Sequence, residues 1–352
     1  MPPYVVISDI HLFNRRTPTL HIIDAFWQWW AEHTEMLKQC KYFIIAGDIT
    51  DRSISSHYPD ITLVNKFFIT LGTRLRDNNI TLIVLEGTAV HDRKQFSSLL
   101  PLLTALNVNV HYYTTVCVEV FEDISMLFIP DNWSTDPAVT LQDAENAVKA
   151  AGLSQVDIGV VHGHVEYQLP MMKQSALSQK GLEALVKHRI HIGHVHIPSH
   201  KGKVDAQGSF DRISHGEEHD KGGNLFINNK RIRLVNRRAY PYVTLPIETL
   251  DPILMDQQVQ QAVMQMGQLG WLRIHATRHH PVYDRFPTYT QQYRSVKFER
   301  KYTNIKEETI VSPIPSVTHL STSAVLEAIV VKYPTVSPPV LTLIQEQLNL
   351  CE

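Results

Sequence analysis

Five short polar clusters, each closing an apolar strand-like run, constrain this chain more than any other feature. They are Asp9-x-His11, Gly47-Asp48-Ile49-Thr50-Asp51, Gly87-Thr88-Ala89-Val90-His91-Asp92, His162-Gly163-His164 and Gly193-His194-Val195-His196. The runs before them are Tyr4 to Ser8, Tyr42 to Ala46, Ile80 to Leu85, Val156 to Val161 and Ile190 to Ile192. Continuous short apolar runs indicate strands buried on both faces. Between them lie helix-like stretches at Asp24 to Gln39, Ile61 to Asp77, Leu141 to Ala151 and Gln179 to Lys187. In the first of these, Phe26, Trp27, Trp30 and Leu37 form the expected buried stripe. Alternating strands and helices, with polar residues at the strand ends, predict an α/β sheet whose site lies along its carboxyl edge.

The residue types in those clusters point to metal chemistry. Side chains alternate along extended chain, so a two-residue step is expected to put Asp9 and His11 on one side, and likewise His194 and His196. Carboxylate oxygen and imidazole nitrogen together suit manganese, iron or zinc. Six donors (Asp9, His11, Asp48, His162, His194 and His196) exceed the needs of one tetrahedral ion. They suit two ions about 3.5–4 Å apart, which activate a water and clamp a phosphate. Taken singly, each cluster has a bland explanation: a chance Asp-x-His, a Gly-Asp turn, a satisfied core histidine. The bland account requires five such accidents at five strand ends.

Composition sets the outer limits. With 43% apolar and 19% charged residues, the 352-residue chain has the material for a sizeable core and is not a disordered polymer. Its net charge of −2 excludes a uniformly basic nucleic-acid binder, so any such contact is local. No apolar stretch reaches membrane-spanning length. The first residues lack a charged flank and apolar leader, and Cys40, Cys117 and Cys351 form no disulfide framework, which together lead us to expect a cytoplasmic protein. Of the 19 histidines, His164 reads as a loop residue, and His21, His33, His57, His188, His191, His200, His215, His219, His279 and His280 as surface or supporting residues.

The order and spacing of the five clusters resemble the calcineurin-like metallophosphoesterase superfamily over residues 9–196. The later segments Gly208-Ser209-Phe210-Asp211-Arg212, Gly216-Glu217-Glu218 and Lys221-Gly222 are similar to the Gly-Ser-x-Glu-Arg…Glu…Lys-Gly stretch of SbcD-type DNA-repair nucleases, which partner SMC-like ATPases. The resemblance implies a β-sandwich flanked by helices over 1–238, a small α+β DNA-binding cap domain at 239–303, a linker at 304–320 and partner-binding C-terminal helices at 321–352. It further implies that Asp9, His11 and His196 hold one ion, that Asp48 bridges, and that His162 and His194 hold the second. His91 matches the histidine acting near the scissile phosphate, with Asp92 expected to orient it. The third cluster departs from the superfamily's Gly-Asn-His pattern: Thr88-Ala89-Val90 separate Gly87 from His91 and no Asn is present, as in phage-type members. Thr88, a backbone carbonyl or water is left to complete the second ion's shell, and weaker binding of that ion is expected.

Substrate class rests on further residues. From Trp271 to Tyr302, Arg273, Arg278, Arg285, Arg294, Lys297, Arg300 and Lys301 face only Asp284 and Glu299, and Tyr283, Phe286, Tyr289, Tyr293 and Phe298 are interleaved. Such a face either contacts DNA phosphates, with Arg278 and Arg294 as candidates, or is a solvated surface over core aromatics. Arg15 and Arg16, just after the first cluster, are candidate phosphate contacts. Val325, Leu326, Ile329 and Val330, then Val340, Leu341, Ile344 and Leu348, recur at helical spacing and suit docking on an ATPase coiled coil, on the cap domain or on a second copy. The expected activity is a manganese-dependent DNA exo/endonuclease, homodimeric, with Mg2+, Fe2+ or Zn2+ as other possible ions. The alternatives are a stand-alone phosphodiesterase for cyclic nucleotides or small phosphoesters, and a scaffold that has lost catalysis.

Overall fold

The structure is a computed structural model and describes residues 1–53, 58–131, 136–228 and 230–303. Its order is β1 (Tyr4–Ile7), α1 (Thr19–Leu37), β2 (Tyr42–Ala46), α2 (Ile61–Asp77), β3 (Thr81–Leu85), α3 (Leu100–Ala105), β4 (Val110–Tyr113), β5 (Cys117–Val120), β6 (Ser125–Ile129), α4 (Pro137–Ala150), β7 (Val156–His162), α5 (Gln179–Leu185), β8 (Val186–Gly193), β9 (Ser199–Lys201), β10 (Val204–Ala206), β11 (Gly222–Ile227) and β12 (Lys230–Val235). After these come β13 (Tyr242–Pro246), α6 (Pro252–Gln265), β14 (Gly270–Ala276), α7 (Phe286–Gln292) and β15 (Val296–Tyr302).

One sheet runs β12-β11-β1-β2-β3-β4 and a second runs β5-β6-β7-β8-β10-β9. Alternation along each strand divides the core. Tyr4, Val6, Ile44, Ile83 and Leu85 of the first sheet meet Met126, Phe128, Ile158 and Val160 of the second. The alternate residues Val5, Ile7, Phe43, Ile45, Leu82 and Val84 face outward onto Phe26, Trp29, Phe67 and Leu71 of α1 and α2. Leu127, Val161, Ile190 and Ile192 likewise face Ala144, Val148 and Leu182 of α4 and α5. The central strands β1, β2, β3, β6 and β7 are therefore covered on both faces, which is why they read as largely apolar runs. This is the expected β-sandwich flanked by helices.

Two local readings are corrected. Helix α1 starts at Thr19, directly after Pro18, because Ile22 and Ile23 are already buried in its first turn. Its stripe includes Trp29, whose indole N–H donates to the Leu234 carbonyl at 3.0 Å, whereas Trp27 is only partly buried and lies under the Arg74 guanidinium. The helix packs on the curled sheet edge as well as on α2, so its apolar face is wider and rotated.

Residues Met1–Tyr302 form one compact unit. Within it, β13, β14 and β15 make a parallel three-stranded sheet, crossed by α6 and α7. Asp251 caps α6, accepting hydrogen bonds from the Ile253 and Leu254 amides. The interleaved aromatics are the core of this element: Tyr283 and Tyr289 are buried, and Phe286, Tyr293 and Phe298 pack against them. The linker and C-terminal helices expected at 304–352 lie outside the described residues. Among the described residues no helix is long and apolar enough to cross a membrane.

Candidate metal centre

Strands β1, β2 and β3 run parallel, as do β7 and β8 in the facing sheet, so the five clusters emerge along the same edge of the sandwich. Beyond β1 and β2 the first two loops stay paired: Asp9 N–H donates to the Gly47 carbonyl at 3.0 Å, His11 N–H to Asp48 at 3.1 Å and Leu12 N–H to Ile49 at 2.9 Å. Asp9 and His11 do meet in one donor group, but not through the period-two alternation of extended chain, and His194 and His196 do not share one. Asp9, His11 and Asp48 have left-handed φ values of 52°, 52° and 50°, and His194 has φ 94°. Strained non-glycine backbone of this kind persists where the surroundings overdetermine it, and here it falls on the donors themselves. Because β8 ends at Gly193, His194 and His196 belong to an irregular loop and point to different clusters.

Among the described residues three donor groups form: Asp9, His11 and His196; Asp48, His162 and His194; and His11, Asp48 and His91. Asp48 thus stands between the outer two, with Oδ2 3.8 Å from His11 Nε2 and Oδ1 3.3 Å from His162 Nε2. The hydrogen bonds on the far side of each ring assign its protons. His162 Nδ1–H donates to the Ala46 carbonyl at 2.8 Å, which leaves its Nε2 lone pair facing the Asp48 carboxylate. His196 Nδ1 lies 3.0 Å from Glu217 Oε1, and His11 Nδ1 lies 3.3 Å from Asp51 Oδ1. The Nε2 atoms of His11 and His196 face each other at 3.0 Å, close enough to share one proton or one ion. Imidazole nitrogens held this close to one another and to carboxylates need positive charge between them, a proton or a metal ion. The donor set therefore fits divalent cations.

The electrostatics agree. Burial alone would lower the His162 pKa, but Asp48 overrides it and raises it to about 10, which shows how strongly this pocket draws positive charge. Burial would raise Asp48, yet His162, His11 and His91 hold it far below the ordinary carboxylate range. His194 is lowered to about 4 by burial and by His162, and so stays neutral, as a ligand must.

Close approach depends on glycine. Gly47 has φ 87°, and a Cβ there would overlap His162 Nδ1; a Cβ on Gly87 would overlap the Asp48 amide and carboxylate. The third loop can thus press onto Asp48, and Thr88 N–H donates to Asp48 Oδ1 at 2.6 Å. Asp92 does not orient His91 as expected. Its carboxylate accepts from the Thr50 amide at 2.9 Å and the Gly87 amide at 2.8 Å, so it pins the second loop to the third. Burial, then Asp48, raises the Asp92 pKa to about 7. The group that holds His91 is the Asp51 carbonyl, 2.5 Å from Nδ1.

This arrangement matches a known family. The family model for calcineurin-like phosphoesterase covers residues 2–235. The chain belongs to the calcineurin-like phosphoesterase family. No curated protein matches it. Family membership brings metal-dependent phosphoester hydrolysis, typically on two divalent ions, and the clusters described above are the residues of this calcineurin-like domain that fit them.

Sequence reasoning missed the supports around this calcineurin-like centre. Glu217, which orients His196, also meets Lys221 Nζ at 3.2 Å and Ser214 Oγ at 2.7 Å. Lys221 in turn donates to Ser209 Oγ at 2.7 Å and to the His196 carbonyl at 3.0 Å. The quoted Gly-Ser…Glu…Lys-Gly stretch contained the signal, since buried opposite charges four residues apart require a polar core. Asp131 was also missed. Its Oδ2 is buried without a hydrogen bond, in a small cavity beside His162 and His164.

The candidate phosphate contacts separate. Arg15, Arg278 and Arg294 are exposed. Arg16 is engaged: its guanidinium lies 3.3 Å from Glu299 and over the Trp271 ring, and its carbonyl accepts from Trp271 Nε1 at 3.2 Å, tying the first loop to the small sheet. His164 is a buried residue stacked near His194, and His191 is fully buried between the sheets with Nε2 3.0 Å from the Tyr4 hydroxyl.

Proposed function

We propose that the chain is a two-metal DNA nuclease with exo- and endonuclease action, working with an SMC-like ATPase in DNA repair, recombination or replication. The observation that carries the hydrolytic core of this reading is the convergence of Asp9, His11 and His196 beside Asp48, His162 and His194, with His91 against the shared Asp48. Bound divalent ions, Mn2+ foremost given the mixed oxygen and nitrogen donors, activate water and neutralise phosphate charge. Asp48 orients both clusters, and Glu217 and the Ala46 carbonyl fix the His196 and His162 rings. With its Nδ1–H spent on the Asp51 carbonyl, His91 turns Nε2 to the site, where it would donate a hydrogen bond or proton to the leaving oxygen.

DNA as the substrate is supported by the similarity of residues 208–222 to SbcD-type nucleases and by the cation excess of β14 to β15 with exposed Arg278 and Arg294. The ATPase partner and the homodimer rest on the same similarity. In this reading residues 239–303 are the DNA-binding cap, and the protein works in the cytoplasm at the nucleoid of a bacterial or phage-infected cell.

The test is Mn2+-supported degradation of labelled linear DNA beside hydrolysis of a nitrophenyl phosphodiester. The expected result is DNA loss in the wild type and a fall of at least about 10²-fold in His91→Ala with Mn2+ still bound. Diester cleavage without DNA cleavage refutes the DNA assignment, and bound Mn2+ with neither activity refutes catalysis. Removal of residues 313–352 is expected to abolish pull-down of the coiled-coil ATPase and leave diester hydrolysis intact; retained pull-down refutes the partner site.

A further inference from the structure

The third loop carries a donor that neither the family match nor the His/Asp clusters include. Thr88 is buried, and its Oγ1 sits 3.2 Å from Asp48 Oδ2, 3.3 Å from His162 Nε2 and 3.5 Å from His194 Nδ1. Two donors bound to one ion at about 2.1 Å each lie about 3.0–3.4 Å apart, so these separations are close to the edges of one coordination shell. We propose that the Thr88 hydroxyl is a ligand of the second ion, in the position that the missing asparagine leaves. This rests on the two-ion reading above.

The loop geometry explains how a shorter side chain reaches that position. A threonine oxygen is one bond nearer its own backbone than an asparagine oxygen, so the chain must come closer to the site. Gly87 permits this, because any Cβ there would overlap Asp48, and the Thr88 N–H bond to Asp48 Oδ1 marks the approach. The extra residues Ala89 and Val90 are taken up in a tight turn. His91 N–H and Asp92 N–H both donate to the Thr88 carbonyl, at 2.8 and 3.0 Å. That turn returns His91 to Asp48 while Val90 points to solvent.

Proton accounting supports a ligand over a simple loop anchor. Thr88 has one hydroxyl proton and two carboxylates beside it, Asp48 with Oδ2 at 3.2 Å and Asp131, and whichever accepts that proton, the hydroxyl oxygen keeps its lone pairs for a cation. The His162 Nδ1 proton is committed to Ala46, so its Nε2 faces both Asp48 and the Thr88 oxygen. The hydroxyl oxygen, the Asp48 carboxylate and His162 Nε2 therefore surround a space that a cation satisfies.

The experiment is calorimetric titration of the full-length protein with Mn2+, starting from protein stripped by chelator, with Mn2+ spin-coupling spectra to report paired ions. The wild type is expected to show two binding events and a coupled pair. Thr88→Val keeps the shape but removes the oxygen, and is expected to weaken the second event about tenfold or more, lose the coupled signal and leave the first event unchanged. Thr88→Ser is expected to restore both. Thr88→Ala serves as the second oxygen-free variant if valine perturbs folding, which circular dichroism monitors. Two unchanged events with a coupled pair in Thr88→Val or Thr88→Ala overturn the ligand assignment alone. A wild type that takes up a single ion overturns the two-ion reading beneath it.

Discussion

Removal of the Glu217 carboxylate separates its two roles, stability and metal holding. Glu217 is 6% exposed and Lys221 is 0% exposed, so no solvent replaces the carboxylate in Glu217→Ala. Breaking a buried pair by deleting one partner costs about 3–5 kcal/mol. The lower end applies, because Lys221 Nζ keeps Ser209 Oγ at 2.7 Å and the His196 carbonyl at 3.0 Å. Titration gives the same magnitude. Burial would raise the Glu217 pKa, but His196 and Lys221 lower it from 4.5 to about 2, worth about 3 kcal/mol. For a depressed acid this stability is present above pH 4.5 and is lost as pH falls through about 2. Urea unfolding in chelator near neutral pH is therefore expected to show Glu217→Ala about 3 kcal/mol less stable than wild type. Mn2+ affinity of the Asp9–His11–His196 site should fall about tenfold, because His196 loses the acceptor that sets its tautomer. Glu217→Gln keeps an oxygen for His196 Nδ1 and should recover much of the affinity but not the charge pairing. A Glu217→Ala protein within about 0.5 kcal/mol of wild type, binding Mn2+ equally well, would refute this reasoning.

Two further outcomes follow from other parts of the fold. Gly87→Ala forces the third loop off Asp48, and should cost about 1–3 kcal/mol and lower second-ion affinity; unchanged denaturation and Mn2+ titration would contradict the close approach. His191, buried between the sheets near Asp205 and Arg189, is lowered to about 4 chiefly by burial. The unfolded chain takes up its proton below about pH 6.5 and the folded chain does not, so stability should fall by up to about 3 kcal/mol from pH 6.5 to 4. His191→Gln should flatten that slope, and equal slopes in urea midpoints would dismiss the assignment.

Much of the sandwich was legible because strands buried on both faces must be apolar throughout, and β1, β2, β3 and β7 each read as such a run. Helix faces were less legible. Trp27 and Trp29 are chemically alike, and only the position of the Leu234 carbonyl makes Trp29 the buried one. The cations and aromatics of residues 271–302 suited either a face for DNA phosphates or a solvated surface over core aromatics, and packing with α6 and α7 makes the aromatics core.

The sequence by itself determined which side chains are available for metal chemistry and that they follow strands on one edge, because residue type sets ligand chemistry and apolar runs set strand ends. Tertiary structure decided how they are used. Left-handed backbone at Asp9, His11, Asp48 and His194 overrides period-two geometry and sends His194 and His196 to different clusters. The far-side partners (Ala46 for His162, Glu217 for His196, Asp51 for His91) select the nitrogen that faces the site. Those choices depend on hydrogen bonds between segments as much as 116 residues apart, and local sequence contains no record of them.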